Sequence, residues 1–99
     1  MEDSIRSIFT NEKPVMALVH LKSRRTENYA SEISDKIDTT YSHTVKILGR
    51  FEDLGLVTSA GYKGRKKMLK LTDSGKELAE KAHEFVAELD EVSRKQGDA

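Results

Sequence analysis

Between Asp38 and Leu71 the chain reads DTTYSHTVKILGRFEDLGLV and then TSAGYKGRKKMLKL. This is a hydroxyl-rich start, a helical run closed by a glycine, and two short strand-like runs around a basic, glycine-bounded loop. Asp38, Thr39 and Thr40 carry side chains that bond the free amides of a helix start. Tyr41, Val45 and Leu48, with Thr44 and Phe51 alongside, are expected to form its inward stripe. Gly55 ends the helix after Leu54, because glycine takes the left-handed conformation at the C′ position with little strain. Gly61 and Gly64 then permit a reversal, and Leu69 and Leu71 share a face at the two-residue period of a strand. A helix delivered straight into a basic hairpin leaves few ways to arrange the rest of the chain.

With 99 residues the chain makes one domain, 1–99, whose core must come from Leu, Ile, Val, Phe and Met. Asp3 or Ser4 can cap a short helix with Ile5, Ile8 and Phe9 at helical spacing, and Asn11 can cap the next, with Lys13 and Pro14 in its first turn. That second helix is the more apolar, through Val15, Met16, Leu18, Val19 and Leu21, and is expected at the centre of the core. The polar stretch from Ser23 to Asn28 breaks the period. From Tyr29 a further helix follows, with Ile33 and Ile37 four apart on one face and Glu32 and Lys36 paired on the other. After the hairpin, Thr72 is a good N-cap and Asp73 suits the positive end of the last helix. The fold class expected is mainly α with a small β-hairpin (α+β), residues 13–71 forming a helix-turn-helix with a wing and 72–95 a long C-terminal helix.

The apolar residues of that last helix, Leu78, Ala82, Phe85, Leu89 and Val92, step by alternating fours and threes, a heptad seam flanked by Val86. At roughly 1.5 Å per residue it runs about 30 Å, more than so small a core needs. The seam is therefore expected to pair with a second copy of the chain, with Ile5, Ile8 and Phe9 of the segment 4–9 completing the dimer interface.

Charge is balanced, 17 basic against 17 acidic side chains, but it is unevenly placed. Residues 1–35 sum to −1, residues 36–70 to +5 and residues 72–99 to −4. A basic excess confined to one helix and one hairpin is the electrostatic footprint of a surface that meets nucleic acid. The side chains expected to point outward from that helix are Thr39, Thr40, Ser42, His43, Lys46 and Arg50, which can bond base edges and phosphates. In the wing, Lys63, Arg65, Lys66 and Lys67 place four cations within five positions, with Tyr62 beside them at the tip. Cysteine is absent, which removes disulfides, thiol nucleophiles and zinc fingers together. The three histidines fall on three different helices, no metal-ligand spacing occurs, and GYKG lacks the lysine-hydroxyl pair of a phosphate-cradling loop. Neither an enzyme nor a cofactor is expected. No stretch has the length of a membrane span or the form of a signal peptide, so a cytoplasmic protein is expected.

Four segments together resemble the winged helix-turn-helix domains of the MarR type, common in archaeal and bacterial transcriptional regulators. They are Tyr29 to Ile37 as first helix, Thr39 to Leu54 as recognition helix, FEDLGLV at Phe51 to Val57, and LTDSG at Leu71 to Gly75. The likeness covers about residues 13–92. It implies a homodimeric regulator of double-stranded DNA, with helix 39–54 in the major groove and wing 61–67 on the flanking backbone. Phe51 replaces the family's usual leucine, and Gly49 stands inside the recognition helix. The chain is also shorter than a full MarR protein, whose longer terminal helices enclose a small-molecule pocket, and no effector is assigned. The alternative is a winged helix that binds another protein without reading DNA.

Overall fold

The computed structural model describes residues 11–23 and 28–97. In chain order it contains α1 (Glu12–Ser23), α2 (Ala30–Lys36), α3 (Tyr41–Asp53), β1 (Val57–Lys63), β2 (Lys66–Leu71) and α4 (Asp73–Gly97). Four helices and one antiparallel hairpin match the expected class. The expected helix bearing Ile5, Ile8 and Phe9 lies outside the described residues. No helix among the described residues is long and apolar enough to cross a membrane.

The hinge between α2 and α3 rests on Asp38. Its φ of 55° is left-handed, a conformation that aspartate tolerates better than most non-glycine residues, and the amide of Thr39 reaches back to the carbonyl of Ser34 at 3.1 Å. Asp38 therefore terminates α2 and does not cap α3. The cap of α3 is Thr40, whose hydroxyl accepts from the amide of His43 at 3.1 Å. The start of α2 is less well served: Tyr29 occupies its N-cap with extended backbone and no side-chain cap bond.

At the other end of α3, Gly55 adopts φ 77°. The amide of Leu56 bonds the carbonyl of Phe51 at 2.8 Å and that of Gly55 bonds Glu52 at 3.0 Å. This pair of bonds is the Schellman closure, and the buried side chains of Phe51 and Leu56 provide its hydrophobic contact. The chain then returns over the same spot. Thr72 donates its hydroxyl to the carbonyl of Gly55 at 2.6 Å and its amide to Leu56 at 2.9 Å, while its hydroxyl oxygen caps α4 through the amide of Gly75 at 3.1 Å.

The core gathers Leu18 and Leu21 of α1, Ile33 and Ile37, then Ile47, Leu48 and Phe51 of α3, Leu56 and Val57, Leu69 of β2, and Ala79 and Ala82 of α4. Two expectations are corrected here. The buried face of α3 is Thr44, Ile47, Leu48 and Phe51, so Ile47 is core at 4% exposure, while Tyr41 and Val45, expected inside, are 60% and 45% exposed. Ala82, expected at the dimer seam, is fully buried where α4 crosses α1. A small residue there lets the two helices approach closely, and it has no surface left for a partner. Beyond that crossing, Phe85, Leu89 and Val92 remain about half exposed, while Leu78 and Val86 are partly buried against the core.

Candidate nucleic-acid interface

Helix α3 is bordered on both sides of its outward face. One side meets the start of α1, where His43, Lys46 and Arg50 border a shallow groove with Asn11 and Lys13. The other side meets the hairpin, where Tyr41, Val45 and Gly49 border a cleft of about 300 Å³ with Tyr29, Arg65 and Lys66. Along the ridge between them, Ser42, His43 and Lys46 are exposed and Arg50 is half-buried. Thr40 is exposed at the helix start; with its oxygen accepting from His43, its hydroxyl hydrogen is available to an outside acceptor. Thr39 is half-buried, as Arg50 is, and its backbone amide is taken by Ser34. The ridge offers hydroxyls, an imidazole and cations in a line, a set that can donate to bases and to phosphates.

The hairpin carries its charge forward by a change of register. Val57, Thr58 and Ser59 pair with Leu71, Lys70 and Leu69, and beyond a bulge Tyr62 and Lys63 pair with Lys67 and Lys66. Ala60 and Gly61 together oppose Met68, which bends and twists the ribbon at that point. The two-residue connection Gly64–Arg65 then sets Lys63 directly across from Lys66. Three cations meet at one exposed end. Like charges facing each other across a strand pair are destabilising, and an anion brought between them relieves that repulsion.

The four wing cations are thereby sorted. Lys63 and Arg65 lie exposed at the tip. Lys66 holds its ammonium 5.4 Å from the centre of the Tyr29 ring, within cation–π range. Lys67 bonds both carboxylate oxygens of Glu52, at 3.0 and 3.1 Å, and this hydrogen bond holds its pKa above the usual lysine value. Lys67 therefore ties the wing to α3. Tyr62 is exposed beside the tip.

Several residues that shape this face carry weak signals in the sequence. Asn28, in a stretch that reads as a break, forms a one-residue bridge in which the amide of Leu69 bonds its carbonyl at 2.9 Å. It joins the hairpin to the start of α2. Glu52 reads only as part of the helix ending, and its partner is 15 positions away. Tyr29 reads as a poor cap, yet its ring supports Lys66.

The sequence model of the family described as winged helix DNA-binding domain matches residues 11–75. No curated protein sequence is significantly similar to the chain. Among solved structures, AF1382 from Archaeoglobus fulgidus is similar with a TM-score of 0.72 at 22% identity, over 86% of this chain and 94% of that one. ZitR of Lactococcus lactis, solved in complex with DNA, superposes with a TM-score of 0.75 at 16% identity over 89% of this chain. MepR, a transcription regulator of the Staphylococcus aureus multidrug efflux pump MepA, does so with 0.70 at 22% over 87%. The chain spans 60% of that ZitR chain and 64% of the MepR chain. At these identities the likeness is one of fold.

Proposed function

Because the chain belongs to the winged helix DNA-binding domain family, we propose that it is a transcriptional regulator of the MarR-like type that binds double-stranded DNA in a sequence-specific manner. The observation that carries this reading is the polar, cationic ridge Ser42, His43, Lys46 and Arg50 beside the cation cluster Lys63, Arg65 and Lys66. In this reading α3 enters the major groove with Ser42, His43, Lys46 and Arg50 at base edges, and Thr40 and Thr39 bond phosphates at its start. Lys63 and Arg65, with Lys66, grip the flanking backbone. The likeness to ZitR, solved with DNA, and to MepR, a transcription regulator, supports it.

The protein acts as a homodimer, paired through Phe85, Leu89 and Val92 of α4 with Leu78 at the edge. Two-fold pairing presents two copies of α3 to successive major grooves, with half-site centres about 34 Å apart or a multiple of it. Such a regulator works in the cytoplasm.

The test is selection of bound fragments from a random duplex library at near-physiological salt, followed by sequencing. An enriched inverted repeat is expected. Salt-sensitive binding with no enriched motif would remove sequence-specific regulation, and absence of binding would leave the protein-interaction module, for which the exposed Tyr41 and Val45 are the supporting observation. Lys46→Ala and Arg50→Ala should relax the enriched motif. Arg65→Ala should weaken all sequences alike and reduce the salt slope by about 1.

A further inference from the structure

Tyr41, Val45 and Gly49 follow one another at four-residue steps, one turn apart, on the side of α3 that faces the hairpin. Two of them are exposed apolar side chains on an otherwise polar helix surface, and the third is a glycine in a helix interior. A Cβ at Gly49 would meet nothing within 4 Å, and its φ is not left-handed. Neither packing nor backbone conformation within the described residues demands glycine there, although alanine is the better helix former. The room it leaves is open to something outside the chain.

We propose that the cleft between α3 and the hairpin seats the sugar-phosphate backbone of one DNA strand, with Tyr41 and Val45 against deoxyribose, Arg65 and Lys66 on phosphate, and Gly49 clearing the path. This rests on the reading of α3 as the major-groove helix with the hairpin on the flanking backbone. When a helix fills one groove and a hairpin reaches towards the next, the strand dividing the two grooves crosses the gap between them. That gap has the matching chemistry. Its floor is apolar where Tyr41 and Val45 face it, and its wall is cationic at Arg65 and Lys66, as an apolar sugar linked to an anionic phosphate requires. Among the described residues the one carboxylate lining it, Glu52, would repel a phosphate and is neutralised by Lys67 at 3.0 Å.

The contact is independent of sequence, so it is tested on a random-sequence duplex at low salt, by fluorescence anisotropy with thermal melting of each variant. Gly49→Ala should raise the melting temperature by about 3–6 °C and yet weaken duplex binding several-fold. Val45→Glu, at an exposed position, should melt near the wild type and bind more than about tenfold more weakly, because it sets a carboxylate against the strand. Unchanged binding by folded Gly49→Ala and Val45→Glu overturns the proposal even where Lys46→Ala still alters sequence preference, which leaves the regulator reading standing. A lowered melting temperature for Gly49→Ala also overturns it, since the glycine would then serve the fold. Failure of the wild type to bind any duplex removes both readings.

Discussion

Gly75 and Gly55 lie close together where α3, the hairpin and α4 join, but they are glycines for opposite reasons. A Cβ on Gly75 would stand 1.9 Å from the carbonyl oxygen of Leu56 and 3.1 Å from Leu71. That carbonyl already accepts from the amide of Thr72, so it cannot move without opening the first turn of α4. Gly55 has empty space around its Cβ position and needs glycine only for its φ of 77°. Gly75→Ala should therefore destabilise by about 2–3 kcal/mol or more, as overpacking against backbone does, and Gly55→Ala by about 1 kcal/mol. Urea denaturation of the two variants measures the order. If Gly75→Ala is the milder of the two, α4 can slide away from Leu56 and the junction is looser than its hydrogen bonds imply.

Among the elements, α3 shows how far a sequence pattern reaches and where it stops. Its ends are legible because caps are local: Thr40, Leu54 with Gly55, and Thr72 of the next helix each sit within a few residues of the amides or carbonyls they serve. Its rotation is not legible in the same way. Two apolar rows run along it at helical spacing, one through Tyr41, Val45 and Leu48 and the other through Thr44, Ile47, Leu48 and Phe51, and periodicity alone ranks them equally. Which row is buried depends on α1 and Leu69, both distant in the chain, as well as on Leu56 just past the helix end. The Glu52–Lys67 pair is unreadable for the same reason, being a contact between elements. Since both partners are partly exposed, Glu52→Gln should change global stability by less than about 1 kcal/mol, while freeing Lys67 to move with the hairpin. A lysine with a raised folded pKa contributes stability that is complete below the unfolded value near 10.4 and fades only as pH climbs through the folded value. The effect of Glu52→Gln should accordingly be equal at pH 7 and pH 9 in urea melts. A clear difference between those two values would show that the bridge does not set the lysine's titration.

At the scale of the molecule, α4 has 25 residues, about 37 Å of helix, and its two halves do different things. Up to Ala82 its apolar residues are consumed by α1 and the core. Past that point Phe85, Leu89 and Val92 keep about half of their surface in water, and beside them a groove of about 430 Å³ runs between α4 and α1, lined by Val15, Met16, Phe85 and Leu89. In the proposed dimer, this row of exposed aromatic and aliphatic side chains is the surface that the second copy covers. Their replacement should separate the chains without unfolding either one, because the residues that hold α4 to its own domain, Ala79, Ala82 and Val86, are other residues. Phe85→Ser with Leu89→Ser should give a monomer by sedimentation equilibrium with its helical circular dichroism retained. It should bind a single half-site but lose the gain from the second, since tethering two sites supplies affinity through effective concentration and adds no new contact. If the double variant remains a dimer, the pairing surface lies elsewhere and the exposed row needs a different partner. If it unfolds, α4 depends on the second chain for its stability, and the melting temperature of the wild type should then rise with protein concentration.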